Sequence, residues 1–200
     1  MTPAVFLHGI GRSGRAAWPL QLSLEEERAC LFLPRLGPGD PSSAVVAHLA
    51  ERLDGPVHVV AHSYGALAAL LLAERHRGLV VSLALAEPAA LGLSRGRPRT
   101  EEHVAAMGPV LAGATDEHLR ATTPPWQVEV SPEVVSRVPT LVALGGPGTM
   151  YAEVAAVLKA HGADVLTVPG TGHRPQDAPA FGRALAAHWR TAEAAGGVRA

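Results

Sequence analysis

The sequence predicts an α/β fold built on a parallel sheet, and three observations carry that prediction. Short apolar runs alternate with longer stretches of helical period along almost the whole chain, the order in which strand–helix crossovers build parallel sheets. The runs are apolar nearly throughout, as in Val57-His58-Val59-Val60-Ala61, which marks strands covered on both faces. Two hundred residues, 48% of them hydrophobic, can bury one large core without disulfide or metal staples.

The first run, Pro3 to Leu7, ends in His8-Gly9-Ile10-Gly11 and precedes a helical segment expected over Ala16–Glu27. The second, Ala29 to Leu33, leads through a Pro/Gly-rich loop to a helix capped by Ser42 or Ser43 and running to Leu53. The third, Val57 to Ala61, is expected at the sheet centre. After it, a helix from Tyr64 to Arg77 stops at Gly78. Leu79 to Ala86 is the fourth run, Thr140 to Leu144 the fifth and Val165 to Val168 the sixth, and a final helix covers Pro175–Arg190. Residues 1–190 thus form one domain, with 191–200 expected to be a frayed tail. Residues 89–138 break the alternation and are too long for one crossover. They are expected to form a small cap over the sheet's carboxyl edge, with helical pieces at Glu101–Leu111 and Asp116–Ala121.

Composition narrows the function. Seventeen basic residues against 18 acidic give a net charge of −1, too little to hold nucleic acid or an anionic membrane surface. Cys30 stands alone, so neither an intrachain disulfide nor a cysteine-based zinc site can form. No apolar run is long enough to span a bilayer. The N-terminus shows neither a basic leader nor a cleavage signature, and the expectation is a cytoplasmic protein. Arginines outnumber the single Lys159 but are scattered, apart from Arg95, Arg97 and Arg99 in one loop, read as a solvated loop.

Three loops carry chemistry. Ala61-His62-Ser63-Tyr64-Gly65 joins a buried strand to a helix, the setting of a nucleophile elbow. The turn is sharp enough that small residues must stand two before and two after the serine. Its plainer reading is a serine that caps the helix. His8-Gly9-Ile10-Gly11 follows the first strand, where Ile10 N–H and Tyr64 N–H could together hold an oxyanion. One such donor is typically worth about 10² to 10³ in rate. Val168-Pro169-Gly170-Thr171-Gly172-His173 puts a histidine on a flexible loop after the last strand, able to reach Ser63. His8, His62 and His173 share one edge, but no carboxylate or cysteine has ligand spacing, so no metal is expected.

With these loops in place the sequence resembles the α/β-hydrolase fold superfamily. The matching stretches are VFLHGIGRSGRAAW, VHVVAHSYGALAALLLAE, VPTLVALGG and VPGTGHRPQDAPAFGRALAAHW. Ala61 replaces the usual first elbow glycine. The resemblance implies a six-stranded, mostly parallel sheet with helices on both faces, ordered 2-1-3-4-5-6. The superfamily's two leading antiparallel strands have no counterpart, since residue 3 already opens the strand bearing His8-Gly9. The resemblance also implies a triad acid after the penultimate strand, yet Gly148 stands where that Asp would be. Of the five aspartates, Asp54 and Asp164 precede strands, and Asp116 lies in the cap. Asp177 is one turn past His173, and Asp40 is across the first strand from the elbow. Glu87, ending the fourth strand, remains, as some branches of the superfamily place their acid there.

The expected activity is a serine hydrolase acting on a small carboxylic ester or thioester without a cofactor. Ser63 is the nucleophile, His173 the base and Glu87 the acid. Trp18 is expected first as a core anchor that could border the substrate pocket, while Met107, Trp126, Leu91 and Leu93 could line that pocket or equally just seat the cap on the sheet. A Ser–His dyad, a lyase-type proton transfer on the same fold, or a ligand-binding pseudoenzyme remain open readings.

Overall fold

The apolar runs become the six strands of one sheet: β1 (Ala4–Leu7), β2 (Cys30–Phe32), β3 (Val57–His62), β4 (Val80–Ala86), β5 (Thr140–Leu144) and β6 (Asp164–Thr167). Their order is β2-β1-β3-β4-β5-β6, and every neighbouring pair is parallel. The computed structural model describes residues 1–37, 39 and 42–196, so Asp40 and the residue preceding the expected Ser42 cap lie outside the description. Six α-helices accompany the sheet among the described residues: α1 (Ser42–Arg52), α2 (Gly65–Arg75), α3 (Pro98–Ala112), α4 (Glu117–Ala121), α5 (Met150–Ala160) and α6 (Pro179–Gly196).

Strand periodicity divides the core in two. Val5, Leu7, Val59, Ala61, Leu83, Leu85 and Val142 face α1, α2 and α5. Ala4, Phe6, Val60, Ala84 and Ala143 face the other way, onto Trp18 and the α6 residues Phe181, Leu185 and Trp189. Phe6 centres that second layer, stacked on Phe32 at 4.5 Å and edge-on to Trp18 at 5.4 Å. The registers align the strand ends: Leu7 pairs with Ala61, His62 with Ala86, and Ala86 with Ala143. The loops leaving β1, β3, β4 and β5 therefore emerge together at one carboxyl edge, the usual ligand side of an open α/β sheet.

Two expectations need correction. The helix expected over Ala16–Glu27 is instead two 3₁₀ turns, Gly14–Ala17 and Leu22–Glu26. Pro19 between them lacks an N–H and disfavours the α conformation at Trp18. The tail expected to fray from Thr191 is helical to Gly196. Ala192 is buried, and Glu193 Oε1 accepts from Thr2 N at 3.2 Å, Arg28 Nη1 at 3.2 Å and His58 Nε2 at 3.1 Å. Burial holds His58 below the usual imidazole range, and its Nδ1 meets Ser82 Oγ at 2.8 Å.

The segment expected to form a cap carries α3, α4 and 3₁₀ turns at Leu91–Ser94 and Pro132–Ser136. Arg97, at the N-cap of α3, offers no side-chain acceptor. Glu153 of α5 supplies one instead, accepting from Arg99 N at 3.0 Å and from Thr100 N and Oγ1 at 2.8 Å each.

Candidate active site

Ser63 and Glu87 are the two non-glycine residues, among those described, held at positive φ, at 52° and 45°. That left-handed backbone typically costs about 1–3 kcal/mol and persists only where its surroundings enforce it. Here the enforcement is a pair of strand ends: Ser63 N donates to Ala86 O at 2.9 Å, and Glu87 N to Ala143 O at 2.8 Å. The elbow fits because residue 65 is glycine. A Cβ there would lie 2.6 Å from His8 O and 2.8 Å from Leu7 O. Ser63 does not cap α2: Tyr64 is the N-cap residue and makes no side-chain cap bond.

The Ser63 hydroxyl instead faces His173, with Oγ 3.0 Å from Nε2. His173 Nδ1 lies 3.7 Å from Glu87 Oε2, while Glu87 Oε1 accepts from Gly145 N at 2.6 Å. The carboxylate is almost wholly buried and the imidazole is 42% exposed. The glycine loop after β1 runs alongside, since a Cβ at Gly9 would lie 3.0 Å from Ser63 Cβ. Ile10 and Tyr64 both border the space above Ser63.

That space is a cavity of about 440 Å³ between the sheet edge and residues 89–138. Leu91, Met107, Leu111, Leu119 and Trp126 form its apolar wall. Met107 and Trp126 line the cavity. Trp18 is a core anchor, the first of the two roles expected of it. It is fully buried in the layer beneath Phe6, and its neighbour Ala17 reaches the cavity instead. Leu93 packs on the core, away from the cavity.

Residues 4–185 match the model of the alpha/beta hydrolase family. The chain belongs to that family. No curated protein matches it. Solved structures share the hydrolase-family fold at low identity. A thermophilic esterase from Thermogutta terrifontis is 18% identical, with 96% of this chain and 90% of that one covered at a TM-score of 0.69. NosK from Streptomyces actuosus is 24% identical, with 96% and 99% covered at 0.68. The 2-hydroxy-6-oxo-6-phenylhexa-2,4-dienoate hydrolase of a Rhodococcus strain is 17% identical, with 94% and 90% covered at 0.62.

Three of the aspartates weighed above lie away from His173 Nδ1 or hold other partners. Asp116 caps α4, accepting from Leu119 N at 2.9 Å. Asp177 pairs with Arg174 at 2.6 Å and Arg12 at 3.4 Å. Asp164 opens β6 at the far edge. Of the three arginines expected in one loop, Arg99 lies instead in the first turn of α3 and pairs with Glu102 at 2.8 Å, and Arg95 pairs with Glu101 at 2.7 Å. No group of three or more metal-ligating side chains occurs among the described residues. No described helix is long and apolar enough to cross a membrane.

Two neighbours of His173 escaped sequence reasoning. Tyr151, in the first turn of α5, stacks on the imidazole with centroids 4.8 Å apart and planes 21° from parallel. Burial and the Glu87 carboxylate push its pKa up to about 12, against the pull of the nearby Ser63 hydroxyl. The only sequence signal was its place three residues after Gly148, where the family's acid loop would lie. His62 looked like a variable elbow position. Its Nε2 donates to the His173 carbonyl at 2.8 Å, tying the elbow to the histidine loop. Burial lowers its pKa to about 4, so it is neutral near pH 7 and donates as an imidazole N–H.

Proposed function

We propose that the protein is a serine hydrolase that cleaves a small carboxylic ester or thioester through an acyl-enzyme on Ser63. The observation that carries this reading is the path Ser63 Oγ–His173 Nε2 at 3.0 Å, with His173 Nδ1 turned toward the buried Glu87. Family membership supports hydrolysis, and the likeness to an esterase is in keeping with it.

Ser63 Oγ bonds to the substrate carbonyl carbon while its proton passes to His173 Nε2. Ile10 and Tyr64 N–H groups receive the oxyanion, the latter at the positive end of α2. Collapse breaks the bond to the alcohol or thiol, which leaves with the proton from His173. Water then attacks the acyl carbon and loses its proton to His173, and the Ser63 Oγ–carbon bond breaks as that proton passes to Ser63 Oγ, releasing the acid. Glu87 holds the Nδ1–H tautomer that leaves Nε2 free to act as base. Its 3.7 Å separation exceeds a hydrogen bond, and such pairs commonly tighten when substrate binds. The apolar wall of the cavity takes the acyl group.

The test is hydrolysis of p-nitrophenyl acetate and butyrate by wild type, Ser63→Ala, His173→Ala and Glu87→Gln, each checked for folding by circular dichroism. Losses of about 10³-fold or more in all three variants are expected. Loss with Ser63 and His173 but not Glu87 would remove the acid assignment alone. A wild type no faster than Ser63→Ala would overturn the hydrolase reading.

A further inference from the structure

The wall of the cavity above Ser63 is uneven in charge. Among the described residues lining it no carboxylate appears, and its charged members are two arginines, Arg12 and Arg174. Arg12 follows the glycine loop of β1, and Arg174 directly follows His173. Both lean on one acid outside the lining. Arg174 grips Asp177 in a bidentate pair, Nε to Oδ2 at 2.6 Å and Nη2 to Oδ1 at 3.2 Å. Arg12 reaches the same Oδ2 through Nη1 alone, at 3.4 Å, and its side chain is 44% exposed. Two guanidinium groups share this one carboxylate, and Glu87, the acid facing His173, is buried and outside the lining. Arg12 is the more loosely held partner, able to turn toward a second anion.

Position says which half of a substrate meets the two arginines. The apolar wall of Leu91, Met107, Leu111, Leu119 and Trp126 suits an acyl chain. His173 delivers its proton to the departing oxygen or sulfur, so the leaving group lies on the side where Arg174 stands. We infer that the substrate is an ester or thioester with an apolar acyl part and an anionic leaving group, bearing a carboxylate or phosphate that Arg12 and Arg174 bind. Planar guanidinium groups recognise either anion through paired N–H donors. The inference rests on the serine-hydrolase reading and gives it a substrate class.

A matched pair of substrates tests it: a nitrophenyl hexanoate and the same ester with a carboxylate on the leaving ring. Wild type is expected to prefer the carboxylated ester by about three- to tenfold in kcat/KM, mostly through KM. Arg12→Gln and Arg174→Gln should each shrink that ratio. Asp177→Asn should enlarge it by freeing both arginines, and about 1 M salt should flatten it. Benzoate and phenyl phosphate as competitors separate the two anions: inhibition by either at a concentration where neutral benzamide is inert supports the inference. A wild-type ratio near one, unmoved by all three substitutions, overturns the inference and leaves hydrolysis standing. If neither ester is turned over faster than by Ser63→Ala, the hydrolase reading falls and the inference with it.

Discussion

Replacing Gly145 with alanine tests how the histidine loop is held. The backbone after β5 passes so close to that loop that a Cβ on residue 145 would lie 1.7 Å from Gly172 O and 2.6 Å from Gly172 C. Ordinary contact begins near 3.4 Å, so the two backbones must separate by well over an ångström. Both ends of the strain reach the site. Gly172 precedes His173, whose Nε2 stands 3.0 Å from Ser63 Oγ, and Gly145 N–H holds Glu87 Oε1 at 2.6 Å. A misplacement of about 1 Å can cost about 10²-fold in rate, and overpacking of this kind typically costs about 1–3 kcal/mol in stability. We therefore expect Gly145→Ala to fold, lose a few degrees in Tm, and lose about 10²-fold or more in kcat on p-nitrophenyl butyrate. Gly146→Ala is the matched control, because a Cβ there meets nothing within 4 Å. It should behave as wild type in both assays. Gly145→Ala retaining kcat within about threefold would refute the proposal that this backbone contact positions His173.

Other perturbations give separate readouts. His62 has a folded pKa of about 4 against 6.5 for the ordinary imidazole. Between those values the unfolded chain binds the extra proton, so stability present above pH 6.5 is lost as pH falls. Urea titrations should show about 2 kcal/mol lost on this account between pH 7.5 and 5. His62→Gln should lose less over the same interval, and an identical slope would remove His62 as the cause. Tyr151→Phe keeps the stack on His173 but drops the hydroxyl near Ser63, and kcat is expected to fall about three- to tenfold. Tyr151→Leu, which loses the stack as well, should fall further; equal rates for Phe and wild type would make the hydroxyl idle. Glu193→Ala strips the acceptor shared by Thr2, Arg28 and the buried His58. A loss of about 1–3 kcal/mol is expected, with faster amide exchange along the last turns of α6.

Much of this was legible because it depends on local rules. All six strands lie where continuous apolar runs put them, and the sheet order follows the resemblance. The elbow could be read from Ala61 to Gly65 because its steric demand falls on residues two positions either side of the serine. The segment from Ala16 to Glu27 misled because its apolar spacing suits a helix, while Pro19 stops one from forming. The end of α6 misled for the opposite reason. Its small polar residues promise little, and its order comes from Glu193 meeting Thr2, Arg28 and His58, contacts distant in sequence. Trp18 reads first as a core anchor able to border the pocket, and its packing against Phe6 keeps it in the core. Tyr151 carries no motif: its place over His173 follows from where α5 starts relative to a loop ending more than twenty residues later.

The placement of Glu87 follows from the loops after β4 and β5. After β5 the chain runs Gly145-Gly146-Pro147-Gly148 and enters α5 at Met150, leaving little backbone from which a carboxylate could reach His173. Tyr151 then packs on the face of the imidazole, filling space beside it. Directly after β4 comes Glu87 at a φ of 45°, a conformation that neither a strand nor the following Pro88 requires. Left-handed backbone at glutamate is unfavourable unless something holds it. Two bonds do so here: Glu87 N to Ala143 O at 2.8 Å, and Gly145 N to Glu87 Oε1 at 2.6 Å. Both are made with β5 and the shortened loop beyond it. The loop that lacks the aspartate is thus the loop that fixes the glutamate, with its second oxygen left to face His173. Restoring an aspartate by Gly148→Asp should therefore not rescue Glu87→Gln, because Gly148 sits at φ 74° and Tyr151 covers the imidazole. Recovery of wild-type kcat in that double variant would show that the two positions are interchangeable and that the strained Glu87 turn is incidental.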